Sequence, residues 1–170
     1  MIISYGFTDF AVEGNQLVES EEFCFAEQQS NQPIETSLSD EATQAIKPVS
    51  TPVEVTGEEG AWRVMRPATP TPVGIELVDP ANDVLPTDPD DPLIVDADGD
   101  GKPGITVVVT LGEGLEGELY IARREIFAYD LLQDGPDSMS GTVKDSSEQL
   151  VIGASLPVLE TAAGQWEQVE

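Results

Sequence analysis

The chain contains no histidine, one cysteine and 7 Lys and Arg residues in 170. Each shortage narrows the function. Without histidine there is no serine–histidine hydrolase chemistry and no histidine-built catalytic metal site. Cys24 alone cannot form a disulfide within the chain or a cysteine-based metal site. Flanked by Phe23 and Phe25, it reads as a small hydrophobe packed locally. Against those few cations stand 33 Asp and Glu, for a formal net charge of -26. Such a surface repels phosphate backbones and anionic headgroups, which excludes nucleic-acid binding and disfavours membrane surfaces. It suits a saline or calcium-rich setting, or a basic partner. No apolar run approaches the ~18 residues of a membrane span; the segment Ile105 to Val109 is strand-sized. The N-terminus, Met1 to Phe7, lacks a basic region and meets Asp9 too early for a leader, so an exported protein would have lost its leader elsewhere.

What is present is turn chemistry and short alternating segments. Thirteen prolines and 15 glycines predict many turns and few long helices. Hydrophobic residues make up 39%, which predicts a modest core. Glu13-Gly14-Asn15-Gln16 reads as the turn of an N-terminal hairpin. Ser39 caps a short helix that ends before Pro48, with an irregular loop as the alternative. Val53 to Met65 reads as a second hairpin. Pro67, Pro70 and Pro72 predict a connector or a protected edge. Val73, Ile75 and Leu77 share one face of a candidate strand, and Ile105 to Leu111 alternates most clearly. Glu118 to Tyr129 is a strand of imperfect pattern, because Arg123 and Glu125 share a parity with Leu119, Ile121, Phe127 and Tyr129. A bulge, a strand crossing two environments, or a helix would account for it. Asp134-Gly135-Pro136-Asp137 is a turn, followed by strands over Met139 to Lys144 and Gln149 to Ala154, and a last one at Trp166.

These elements predict a mainly β fold: an antiparallel meander, small barrel or sandwich, with irregular Pro/Asp-rich connectors and at most one short helix. One domain over 1–170 is expected, either whole or cut short within its C-terminal strand. The alternative is an N-terminal lobe over 1–60 and a β domain over 61–170.

The most specific motif is Asp96-Ala97-Asp98-Gly99-Asp100-Gly101. Calcium takes several hard oxygen ligands at about 2.3–2.6 Å, and alternating carboxylates in a tight loop can converge on one ion. Gly101 lets the chain turn back, and Lys102 offers its backbone oxygen while its side chain is expected to point away. Position twelve of the helix–loop–helix calcium pattern is Val107 instead of a bidentate glutamate. Asp91, its neighbours Asp88 and Asp90, or water would have to complete the shell. Magnesium, which retains its waters, fits less well. The competing reading is a solvated Asx-rich turn. Without an ion, mutual repulsion is expected to raise all three carboxyl pKa values.

The loop resembles those of dockerin and thrombospondin type-3 modules, although no tandem copy is visible. Asp96 through Val109, with Gly117 to Arg124, resembles secreted or lipoprotein-type β-proteins of myxobacteria and related bacteria. That resemblance implies an exported protein, extracellular, cell-surface or periplasmic, and transfers no catalytic residue.

Three functions compete. The first is a non-enzymatic, calcium-stabilised binding or structural protein, with Trp62, Tyr120, Arg123 and Arg124 as ligand contacts. Core packing for the aromatics, and ion pairing for the arginines, are the alternatives for those residues. The second is calcium-dependent surface assembly or adhesion, oligomerising by strand addition. The third is a small carboxylate-based hydrolase drawing on Glu113, Glu116, Glu118, Glu125 or Asp130. The chain is expected not to be an enzyme.

Overall fold

The computed structural model describes residues 2–28, 35–111, 114–160 and 166–167. Glu113 and the side chain of Trp166 lie outside that description. The architecture is mainly β, with antiparallel pairing between strands throughout two sheets. A long hairpin opens the chain, β1 Ile2–Glu13 and β2 Gln16–Gln28. Its two-residue turn places Gly14 at φ 63°, where a side chain would be strained. Gly6 pairs with Phe23 and Tyr5 with Phe25, so Cys24 is the extra residue of a β2 bulge, half-buried instead of fully packed. β4 Thr51–Pro52 completes this three-stranded sheet in the order β1-β2-β4.

The second sheet is built on one strand. β8, Leu115–Gly135, is 21 residues long. β7 Ile105–Leu111 and β6 Arg63–Val73 share one of its edges, and β10 Glu148–Ala154 and β9 Ser138–Asp145 share the other. β3 Glu35–Leu38 extends the sheet beyond β7, β5 Glu54–Thr56 beyond β6, and β11 Trp166–Glu167 beyond β10. Two short helices stand outside the sheets. α1 Asp40–Gln44 begins where the Ser39 hydroxyl oxygen accepts from the Ala42 N–H at 3.0 Å, and α2 is Pro157–Glu160.

Two expectations need correction, and a third holds in one of its alternatives. The proline run is strand and not a connector, but it is a protected edge: beyond Met65 no strand among the described residues pairs with the far side of β6. Pro70 and Pro72 share one parity, so both missing donors fall on one edge while Thr69, Thr71 and Val73 keep theirs. The face shared by Val73, Ile75 and Leu77 is broken at Gly74, φ 70°, where β6 ends. Val73 packs with Ala42, Ile105, Ile121 and Val151; Ile75 joins a second cluster with Leu85 and Ala122. β3 was not expected in a polar stretch, and exists because β7 offers it a hydrogen-bonding edge.

The uneven pattern of β8 reflects two environments on one face. Ile121 lies in the apolar cluster, whereas Glu125 and Tyr129 face the acidic strand β2. There Glu19, 1% exposed, accepts a hydrogen bond from the Tyr129 hydroxyl and lies 2.5 Å from Arg66 Nε, without the alignment of a hydrogen bond. Arg66 also reaches Glu21 at 3.5 Å and donates to the Phe127 carbonyl. Burial raises the Glu19 pKa to about 7, with Glu21 adding to the rise and Arg66 opposing it. Burial raises Glu125 as well, against the pull of Arg123.

A carboxyl whose folded pKa exceeds its unfolded value stabilises the fold most when protonated. That stability is full below about pH 4.5 and is lost as pH rises through about 7. Glu19→Gln removes this titration. In urea melts, the loss of unfolding free energy between pH 5 and pH 8 is expected to be about 2–3 kcal/mol smaller in the variant than in the wild type. Equal slopes would refute the assignment.

Candidate metal centre

The aspartate loop hangs from a neck of close backbone contacts. The Val95 N–H donates to the Gly74 carbonyl at 3.1 Å, the Gly104 N–H to the Val95 carbonyl at 2.9 Å, and the Ala97 N–H to the Gly104 carbonyl at 2.9 Å. Asp96 and Gly104 form a parallel bridge. Gly104, φ 83°, packs so tightly on β8 that a Cβ would lie 2.2 Å from the Ile121 carbonyl oxygen. Between the acidic residues, Ala97 packs against the apolar cluster of Ile105 and Ile121. The apolar anchor fixes which way the loop faces, with Asp96 and Asp100 exposed and Asp98 half-buried.

Within the loop the carboxylates gather. One oxygen from each of Asp96, Asp98 and Asp100 lies within 4.8 Å of the others. Asp96 accepts from the backbone N–H groups of Gly99 at 2.8 Å, Asp100 at 3.2 Å and Gly101 at 2.9 Å, which winds the chain around it. Asp98 Oδ2 accepts from the Thr106 N–H at 2.8 Å, while its Oδ1 is buried and has no hydrogen-bond partner. Asp100 accepts from the Lys102 N–H and from the Thr106 hydroxyl at 2.6 Å. This donor set, all carboxylate, is chemically suited to a hard divalent cation.

Asp98 and Asp100 do not titrate alike. Desolvation raises the Asp98 pKa, with Asp100 and Asp96 adding to the rise and backbone hydrogen bonds opposing it. Asp100 moves the other way. Desolvation would raise it, but the Thr106 hydroxyl and Lys102 together hold it below its ordinary value. The expectation of a uniform rise therefore fails at Asp100.

The Thr106 hydroxyl leads that lowering, and Lys102 adds to it. The Lys102 side chain does not point away: Nζ lies 2.7 Å from Glu118 Oε2, 3.5 Å from Asp100 Oδ2 and 5.3 Å from the Tyr120 ring centroid. Tyr120 donates its hydroxyl to the same Glu118 oxygen at 3.0 Å. Lysine, glutamate and tyrosine thus form a buttress along the loop. Asp91 is not among the gathered carboxylates; its Oδ1 accepts from the Leu93 N–H at 2.9 Å.

The other candidate contacts are dispersed. Arg123 pairs with Glu125 at 3.3 Å and lines a cavity of about 230 Å³ with Leu38, Val107 and Ile121. Arg124 is buried, pairs with Glu148, and donates to the carbonyls of Pro80 and Asp83. It braces that connector against β8. Near the far end of β8 from Tyr120, the Trp62 N–H donates to the Gln133 side-chain oxygen and the Trp62 carbonyl accepts from the Gln133 N–H. The candidate acids Glu118, Glu125 and Asp130 each face a cation, and Glu116 lies opposite Thr110. Thr106 was not anticipated as a site residue. Its signal was available: a hydroxyl residue at the second position of the strand that follows the loop.

Among the described residues, no helix is long and apolar enough to cross a membrane. Searches against family models, curated proteins and solved structures found no match.

Gly104→Ala tests the neck. Its Cβ would meet backbone, in a conformation that disfavours any side chain, so the variant is expected to lose roughly 3 kcal/mol or more of unfolding free energy. Gly99→Ala, where open space surrounds the added carbon, carries only the conformational penalty and is expected to lose about 1 kcal/mol. Denaturant melts of both variants check the difference, and equal losses would count against the neck.

Proposed function

We propose that this protein is a non-enzymatic, calcium-stabilised exported binding or structural module. The observation that carries the reading is the convergence of Asp96, Asp98 and Asp100, with one buried Asp98 oxygen left without a partner. Calcium at this point would take carboxylate oxygens from these three residues, and the Lys102 backbone oxygen is the next donor along the chain. It would offset the repulsion of a local acidic cluster inside a chain already at -26. Because Ala97 and Gly104 tie the loop to the core, the ion's stabilisation would pass to the sheet.

Lys102 makes the site self-limiting. Its ammonium already supplies partial positive charge beside Asp100, so an incoming ion competes with a cation built into the loop. That favours an affinity matched to calcium-rich surroundings over one matched to a scarce ion, and supports the exported location that the resemblance to secreted bacterial β-proteins implies.

The test is thermal melting with calcium titrated at constant ionic strength. With calcium at about a hundredfold over its dissociation constant, stabilisation of roughly 3 kcal/mol is expected, which raises Tm by about 5–10 °C. Asp98→Ala is expected to abolish most of that increment. The comparison is of increments, because the substitution also removes the Thr106 contact. Magnesium at equal concentration is expected to give a much smaller increment. Equal calcium stabilisation of wild type and variant would defeat the proposal.

A further inference from the structure

The first strand is exposed along nearly its whole length. β1 pairs with β2 on one edge, and among the described residues no strand pairs with its other edge. An unpaired edge of 12 residues presents a row of free backbone donors and acceptors. Such edges are usually guarded by charge, proline or a covering element. Here the guards are few among the described residues. β1 has no proline, lysine or arginine, and only Asp9 and Glu13 carry charge. It displays Phe7 at 68% exposure, Phe10 at 52% and Val12 at 74%. The stacked rings of Tyr5 and Phe25, 4.4 Å between centroids, brace the hairpin behind it.

We propose that β1 is a self-association strand, and that its occupant is β1 of a second copy, paired antiparallel about a two-fold axis at Phe7. The charge distribution selects this occupant. A basic strand would find carboxylates on β1 only at Asp9 and Glu13, so the edge favours an apolar neighbour. β1 is itself such a neighbour. An antiparallel two-fold pairing must put residues of one parity opposite each other. Centred on Phe7, it sets Phe7 against Phe7, Ile3 against Ala11, Phe10 against Ser4 and Asp9 against Tyr5. No carboxylate meets another. The two Asp9 residues fall about 14 Å apart along the strands, beyond the screening length of about 8 Å at physiological salt. Elsewhere the chain's acidity repels a second copy, so this strand is where approach costs least. The contact is small against the roughly 800 Å² per partner of a stable complex. Association is therefore weak, concentration-dependent and promoted by salt.

The pairing does not involve the aspartate loop, so its test stands apart from the calcium titration. Sedimentation equilibrium of the full chain in EDTA, from micromolar to submillimolar concentration, is expected to show the mass rising toward twice the monomer. The rise is expected to be stronger in high salt. Phe7→Lys, which places two ammonium groups opposite each other on an exposed position, is expected to weaken association at least about tenfold. Val143→Lys, on the exposed face of β9, is expected to leave it unchanged. Register is tested in a Cys24→Ser background. There Phe7→Cys is expected to oxidise readily to a disulfide-linked dimer, because directly opposed Cα atoms lie within bridging distance. Val12→Cys is expected to cross-link far more slowly. A strictly monomeric wild type, a Phe7→Lys variant that associates like wild type, or equal cross-linking at positions 7 and 12 would each overturn the proposal.

Discussion

Scarcity of positive charge is the constraint on which this fold turns. Among the described residues, five of the seven basic residues make ion pairs, and four of those join separate elements. Arg63 links β6 to Asp130 of β8, Arg66 links β6 to Glu19 and Glu21 of β2, Lys102 links the aspartate loop to Glu118, and Arg124 links β8 to Glu148 of β10. Each sets a cation against a carboxylate on a neighbouring element. The contacts do not contribute equally. Arg63 and Asp130 are well exposed, and such a pair contributes little. Arg66 and Glu19 are almost wholly buried, so removing either strips a desolvated group of its nearest partner. The two sheets are therefore joined by a buried polar contact.

That contact clarifies what was legible beforehand. The mainly β class, the Gly14 turn, the Ser39 cap and the Ile105 to Leu111 strand followed from local chemistry, because turn residues, capping hydroxyls and alternation act over a few positions. Glu19 did not. Within Leu17-Val18-Glu19-Ser20-Glu21-Glu22 nothing marks one glutamate as buried; Arg66 and Tyr129 decide that from distant strands. β3 failed to register for the same reason, since its strand character comes from the edge of β7. The long continuation of β8 past its charged middle also required knowledge of β2, the strand that its charges face.

At the aspartate loop the motif was plain, and its surroundings were not. Alternating aspartates and Gly101 point to a turn that gathers carboxylates. Whether the next residue's side chain leaves or returns depends on Glu118 and Tyr120, which arrive on β8. The return of Lys102 shows how a distant strand edits a local motif, adding to the Thr106 hydrogen bond in lowering the Asp100 pKa while Asp98 stays raised.

The glycine neck has a kinetic consequence. Gly74, Gly104 and Ile121 come from three separate stretches of chain, and their backbones touch only when β6, β7 and β8 are already in register. Contacts of such long sequence separation form late, after the loop-closure entropy of the sheet has been met. An ion held beyond that neck would bind a structure past its folding barrier. It would therefore slow the escape of the native chain and leave the speed of its formation nearly untouched, a latch and not a guide.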